Sequence, residues 1–371
     1  MSRRVVHYVD SDIFGGSEEA ALHLMASLEP TRWEPVLLHH PGPGVDRLVE
    51  GARRLGVRTI AVPGATRGRR LRGLAGLRRA LAAERPAILH LHLSWPLACK
   101  YGVLAGWLER VPAMVATAQL YLTTGSPLEQ RLVMMALRRI IAVSREVRAR
   151  YARDLRVPEP KLAVVPNGIQ VPATARRADP ALRAELVRGR PDYLILTPAR
   201  LHEQKGHTYL LAAAAMVPGA TFVLAGDGPL RVQLERQAAE LKIADRCVFL
   251  GQRADVADLL AVADLFVLPS LFEGLPVSVL EAMAAERPVV ATSIGGTDEA
   301  IADEVTGLLV PPRDPAALAA AIRRLQGDPA LARRLGSAGR ERVEREFSSA
   351  VTAREVMRIY DEVAGAGGSD A

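Results

Sequence analysis

Short runs of β-branched and aliphatic residues alternate with helix-period stretches through the first half of the chain: VVHYV at 5–9, PVLLHH at 35–40, RTIAV at 58–62, AILHLHL at 87–93, MVAT at 114–117 and RIIAVS at 139–144. That rhythm reads as βαβ units feeding a parallel sheet. It restarts in the second half with DYLILTPAR at 192–200, TFVLAGDG at 221–228, CVFLG at 247–251, DLFVLPS at 264–270, PVVAT at 288–292 and GLLV at 307–310. The pattern predicts an α/β chain of two doubly wound domains. Between them, KLAVVPNGIQVPATARRADP holds Pro166, Pro172, Pro180 and a PNG turn with little helical periodicity, so residues near 166–190 read as a connector. The expected division is 1–168 and 169–349. A helical, Arg- and Glu-rich segment closes the chain before a frayed tail at 366–371.

A chain of 371 residues, 49% hydrophobic, is long enough for two packed cores. No apolar stretch reaches the roughly 18 residues a membrane span requires. The N-terminus MSRRVVHYVDSD meets an aspartate before any signal-peptide core, so a cytoplasmic location is expected. Cys99 and Cys247 stand far apart in apolar contexts and predict buried, inert thiols. The net charge of +7 invites a nucleic-acid reading, but only 4% of residues are aromatic and no interleaved basic and aromatic motif occurs, so no nucleic-acid partner is expected. The excess concentrates at 67–85, which carries Arg67, Arg69, Arg70, Arg72, Arg78, Arg79 and Arg85 against Glu84. Leu71, Leu74 and Leu77 share one helical face there, a pattern that can lie on an anionic membrane.

Ligands of open parallel sheets bind beyond the carboxyl ends of the strands, and three stretches qualify. In DSDIFGGSEEA, Gly15 and Gly16 let the backbone approach an anion, and Ser17 can cap the following helix; a plain tight turn fits equally. Asp10 and Asp12 there make a DxD, but one acidic turn without a third ligand predicts no metal. In TPARLHEQKGHTYLL, Arg200 offers a planar fork of donors and Lys205 a point charge, which suits a diphosphate, although such residues in loops are commonly just solvated. In LFEGLPVSVLEAMAAERPVVAT, a helix starting near Pro276 would aim the Leu275 and Val277 N–H groups at a phosphate. Glu273 and Glu281 could accept hydrogen bonds from sugar and ribose hydroxyls, or simply favour the helix start through its dipole. His90 and His92 share a strand face, where structural histidines are the commoner kind.

Together with VVPNGI, LAGDGPL, FLGQR and TGLLVPPRD, these stretches resemble family 4 of the retaining glycosyltransferases (glycosyl transferases group 1), which have the GT-B fold of two Rossmann-like domains facing a central cleft. The resemblance implies that Arg200 and Lys205 grip the donor diphosphate, Gly274, Leu275, Pro276 and Val277 cap it, and Glu281 holds the ribose. Glu273 would touch the transferred sugar. Gly16, with Gly15, would approach the diphosphate from the first domain, and the Phe249 to Arg253 region, with Gly251 and Arg253, would frame the base. It further implies retention at the anomeric carbon, no metal and no cofactor, a leaving phosphate that deprotonates the acceptor, and a helix at about 350–365 that joins the first domain. The partners implied are a nucleotide sugar carrying a hexose or N-acetylhexosamine and a hydroxyl acceptor. Where the family usually places a histidine near the donor sugar, this chain has Gln119, with His92 a second candidate on that side. Gln cannot take a proton near neutral pH, which fits the phosphate-assisted route. Rival readings are a non-catalytic sugar-nucleotide-binding protein and a phosphorylase or epimerase on the same fold; a dinucleotide-dependent dehydrogenase is disfavoured because no GxGxxG follows the first strand.

Overall fold

The computed structural model describes residues 2–11, 14–42, 44–64, 70–121, 126–174, 176–190 and 193–365. Asp12, Arg67, Arg69 and the 366–371 tail lie outside them. The chain divides into two compact units, Met1–Gln170 with Ser348–Ala371, and Val171–Phe347.

The first unit runs β1 (Arg3–Val9), α1 (Gly16–Ser27), β2 (Trp33–His39), α2 (Asp46–Arg54), β3 (Arg58–Ala61), α3 (Arg70–Glu84), β4 (Ile88–Leu93), α4 (Lys100–Leu108), β5 (Ala113–Ala118), α5 (Pro127–Ala136), β6 (Arg139–Ala142), α6 (Arg145–Asp154) and β7 (Leu162–Val164). Its parallel sheet has the order β3-β2-β1-β4-β5-β6-β7. The second runs α7 (Pro180–Leu186), β8 (Tyr193–Thr197), α8 (His207–Ala214), β9 (Ala220–Ala225), α9 (Arg231–Glu240), β10 (Cys247–Gly251), α10 (Val256–Val262), β11 (Leu265–Leu268), α11 (Val277–Ala284), β12 (Val289–Thr292), α12 (Gly295–Ala300), β13 (Leu308–Val310), α13 (Pro315–Gly327) and α14 (Pro329–Glu346). Its sheet has the order β10-β9-β8-β11-β12-β13. Both orders reverse between the first and fourth strand of the unit, the switch point at which open α/β sheets take their ligands. Central strands such as β5, β9 and β11 are buried along their whole length, which is why they read as near-continuous apolar runs.

Side-chain caps set several helix starts: Ser144 Oγ accepts from Val147 N at 3.2 Å, and Asp314 and Asp328 each cap a helix that has Pro in its first turn. The same signal corrects the reading of 166–190 as plain connector. Asp179 Oδ1 accepts from Ala181 N at 2.9 Å and Pro180 opens α7, whose seven residues are too few to show a period.

The last helix, α15 (Ser349–Gly365), belongs to the first unit. Val356, Met357, Ile359 and Tyr360 enter one core with Val5, Leu24, Trp33, Ile88 and Val115, each contributing about 1.5–3 kcal/mol of burial. The Tyr360 ring meets Trp33 edge-on at 5.2 Å, and Arg139 pairs with Glu362 at 2.8 Å.

Helix α3 uses its leucines differently from the lipid-facing expectation. Leu77 and Leu81 are buried and Leu74 is half-buried, so the stripe packs inward and only Leu71 is exposed. Helical periodicity identifies an apolar face without saying what covers it. Cys99 and Cys247 are buried free thiols, as expected, and burial raises both. Among the described residues, no helix is long and apolar enough to cross a membrane.

Candidate functional site

In the second unit, the loops leaving β8 and β11 meet at the switch point. Gly206 sits between a short turn at Glu203–Lys205 and α8 with φ of +65°, and a Cβ there would run into the carbonyl oxygen of Pro269. Only glycine lets the backbones approach so closely. Leu271 N donates to Gln204 O at 2.7 Å, and Gln204 Nε2 donates to Phe272 O at 3.1 Å. This stitching brings Lys205 Nζ to Glu273 Oε1 at 2.5 Å, with both side chains largely buried. Ser270 Oγ adds a bond to the same carboxylate oxygen at 2.7 Å, and Gln204 Nε2 reaches Oε2 at 3.4 Å. Two residues marked separately in the sequence, one as phosphate ligand and one as sugar ligand, are therefore partners. Gln204 and Ser270, which orient Glu273, were not singled out; their signal was only proximity to Lys205 and Glu273 along the chain.

Arg200 lies exposed just beyond β8. Gly274, Leu275, Pro276 and Val277 lead into α11, which begins at Val277 with no side-chain cap from Pro276, so its opening N–H groups have the disposition that favours an anion. A Cβ on Gly296 would collide with the Gly274 carbonyl, so α12 packs directly on this loop. Glu281 sits one turn into α11, half-buried. Gly251 ends β10 with φ of +70°, and Arg253 is held by Asp255 through two bonds, at 2.7 and 2.5 Å.

In the first unit, Gly15 N donates to Glu18 Oε2 at 2.9 Å, and Ser17 Oγ donates to the same oxygen at 2.8 Å. This corrects the assignment of Ser17 as helix cap: α1 opens at Gly16, with Ser17 inside it, and the carboxylate of Glu18 reaches back to the start. Burial raises the Glu18 carboxyl.

His7, His90 and His92 stack on one face of β1 and β4, because His7 and His90 are register partners and His92 follows two residues on. Ring centroids are 4.6 to 5.3 Å apart and interplanar angles run from 14° to 33°. His7 Nδ1 and His92 Nε2 are hydrogen-bonded at 3.0 Å, while His90 is held by Tyr360 Oη at 2.5 Å and Thr117 Oγ1 at 2.8 Å. Among the described residues this is the one grouping with a donor set for a metal ion, its ring nitrogens within 4.8 Å of one another. Ligand nitrogens converge on an ion lying in each ring's plane. Near-parallel rings with both His90 nitrogens engaged form a ladder instead. The sequence marked His90 and His92, while His7, one residue in an ordinary strand, gave no signal of its own.

Gln119 and Asn167 form a reciprocal amide pair at 2.8 and 3.1 Å. They line a small pocket with His92, Thr117 and Thr352, which has about 20 Å³ open to a water's centre, room for one water. The pocket thus unites Gln119 with His92 and adds Asn167 of the PNG turn.

Burial lowers His92 to about 4. Burial, with the adjacent Lys205 ammonium, lowers His207 to about 4 as well. In both cases the unfolded chain binds more protons between pH 4 and 6.5, so stability is complete above pH 6.5 and falls as pH drops through that window. From pH 7 to pH 5 each histidine should cost its unit about 2 kcal/mol, a fall of roughly 4–8 °C in midpoint. Glu18, raised in the fold, works in the opposite sense at lower pH. Calorimetry at the two pH values checks this, and unchanged midpoints would show that the histidines titrate normally.

Comparison with known proteins places both units. The family described as glycosyl transferases group 1 matches residues 179–342, and the glycosyl transferase 4-like domain matches 15–168. EpsD of Bacillus subtilis (strain 168), described as a glycosyltransferase, is 37% identical over 173 residues, which are 46% of this chain and 45% of EpsD. The match thus spans less than half of that relative's length. The UDP-Gal:alpha-D-GlcNAc-diphosphoundecaprenol alpha-1,3-galactosyltransferase of Escherichia coli is 28% identical over 282 residues, 70% of this chain and 72% of the relative. The structure of HepE from Anabaena in complex with UDP-glucose superimposes with a TM-score of 0.84 at 18% identity, covering 97% of this chain and all of that one, a likeness of fold.

Proposed function

Since the chain belongs to the group 1 glycosyl transferases, we propose that it is a retaining enzyme that moves a hexose or N-acetylhexosamine from a nucleoside diphosphate sugar to a hydroxyl acceptor without a metal. The carrying observation is the Lys205–Glu273 pair at the β8/β11 switch point. Negative charge grows on the diphosphate as its bond to the sugar breaks, and preoriented cations act most strongly on such charge. Lys205 is held in place by Glu273, and Arg200 lies exposed on the same loop, so the pair would meet the two phosphates while the α11 N-terminus caps them. Glu273 keeps acceptor capacity for sugar hydroxyls, and Glu281 would take the ribose. The leaving phosphate oxygen then removes the acceptor's proton on the face it departs from, which preserves configuration and leaves Gln119 no proton to carry.

Gly15 and Gly16 would approach the donor diphosphate, with Gly251 and Arg253 near the base, and Gln119 and His92 on the sugar or acceptor side. The reading takes the chain as cytoplasmic, with no nucleic-acid partner. Contact of 67–85 with an anionic membrane would now rest chiefly on arginines, since Leu77 is buried and Leu74 half-buried, leaving Leu71 alone of the stripe exposed. The complex of HepE makes UDP-sugars the first donors to test, and the lipid-diphosphate acceptor in the Escherichia coli relative's name the first acceptor. Thermal shift against UDP-, GDP- and ADP-sugars, followed by proton NMR of the product formed in the presence of EDTA, tests the whole reading. A stabilising donor and a product of unchanged anomeric configuration are expected. Absence of any stabilising donor, or an inverted product, would refute it.

A further inference from the structure

Three loops of the second unit are sewn together beyond the carboxyl ends of β8, β9 and β10. Leu201 N donates to Asp227 O at 3.0 Å, and Leu230 N donates to Leu201 O at 3.1 Å. A Cβ on Gly228 would strike the Leu201 carbonyl, so the β9 loop lies directly on the loop that carries Arg200. Gly226 then bridges to Gly251 at the end of β10. Residues 226–231 therefore join the loop of the arginine assigned to the diphosphate to the segment assigned to the base, Phe249 to Arg253.

Arg231 opens α9 at that junction and is half-buried. Its Nε donates to Glu235 Oε1 at 2.9 Å and its Nη2 to Phe249 O at 3.3 Å. The two bonds fix the guanidinium plane and leave Nη1 with no partner among the described residues. That nitrogen lies 3.4 Å from where a Cβ on Gly251 would stand, so the missing side chain keeps this edge of the guanidinium uncovered. Arg253, by contrast, has its Nε and Nη2 taken up by Asp255 at 2.7 and 2.5 Å, the edge with which an arginine forks onto planar groups. Arg231 was not singled out in the sequence, because the first residue of a helix after a glycine turn is commonly a solvated charge.

A guanidinium has donors and no acceptor. Against the edge of a base it suits a carbonyl oxygen, as on uracil or guanine, and it meets the exocyclic amine of cytosine or adenine donor to donor. The Phe249 carbonyl, the acceptor such an amine would seek here, already takes Arg231. We propose that Arg231 selects the nucleobase of the donor, admitting carbonyl bases and rejecting amino bases, with Glu235 holding its guanidinium in plane. This rests on the donor reading proposed above and supplies the class of base that reading leaves open. Discrimination of this kind is strong for its size, because the wrong base leaves a polar group of the site unpaired.

The test is isothermal titration of the full chain with UDP, CDP, GDP and ADP, four ligands that share the diphosphate and form two pairs of matched ring size. Within whichever pair the site admits, the carbonyl member should bind at least about tenfold more tightly, UDP over CDP or GDP over ADP. Arg231→Gln, whose amide can donate or accept, should bring the two members close to parity while diphosphate binding persists. Arg231→Lys, which keeps donors alone, should preserve the direction of the preference at reduced size. Equal affinity within each pair, a preference for the amino member, or undiminished selectivity in Arg231→Gln overturns the assignment and leaves the donor reading standing. Selectivity lost to the same extent in Arg231→Lys also overturns it, since Arg231 would then only support the loop. Failure of all four diphosphates to bind is a different result: it refutes the donor reading itself, and this inference falls with it.

Discussion

Replacing Lys205 with alanine lowers kcat/KM by about 10²–10³-fold, the usual effect of removing one preoriented group that stabilises transition-state charge. The same substitution strands the Glu273 carboxylate, which is buried and holds Lys205 Nζ at 2.5 Å. Breaking one side of a buried pair costs about 3–5 kcal/mol. Two effects are therefore superimposed, and a cycle separates them. Glu273→Gln, which keeps the shape and relieves the stranded charge, should cut turnover with modest loss of nucleotide affinity. The double variant Lys205→Ala/Glu273→Gln should regain much of the thermal stability lost in Lys205→Ala while remaining as inactive. Stability and activity recovering together would mean that the pair merely holds the loop; wild-type activity in both single variants would remove these residues from the chemistry.

Gly206→Ala is the second large effect. The residue has φ of +65°, and its Cβ would strike the Pro269 carbonyl oxygen. Left-handed backbone costs a non-glycine residue about 1–2 kcal/mol. Overpacking against a fixed backbone adds about 1–3 kcal/mol. The β11 loop must then retreat from the turn at Glu203–Lys205, so the Lys205–Glu273 pair opens. Donor binding is expected to fail even where the protein is fully folded. Measuring the urea midpoint and the donor-induced thermal shift of this variant checks both halves; a tight donor complex in Gly206→Ala would show that the close approach has no role in forming the site.

The alternating pattern made both sheets legible, because strands buried on both faces are written as apolar runs. β7 and α7 escaped it, being too short for a period and embedded among prolines; only the Asp179–Pro180 start signal could have revealed the helix. The motifs located Arg200, Lys205 and Glu273 at strand ends. That Lys205 grips Glu273, 68 residues on, follows from β8 and β11 being neighbours, and sheet order is not written in any one segment. The histidine ladder was hidden for the same reason: His7 meets His90 and His92 only through the register of β1 on β4. Helix α3 shows the converse limit, since its leucine stripe was plain but its destination was the core.

The first unit is completed by α15, which supplies Val356, Met357 and Tyr360 to the core around Trp33. During synthesis, that core must wait for residues 349–365 to leave the ribosome, while residues 171–347 are already free to fold. The half begun first is thus completed after the half begun second, and a message cut short before Ser349 yields a nascent protein with Trp33 and Leu24 uncovered, a target for chaperones or proteolysis whatever the state of its donor site.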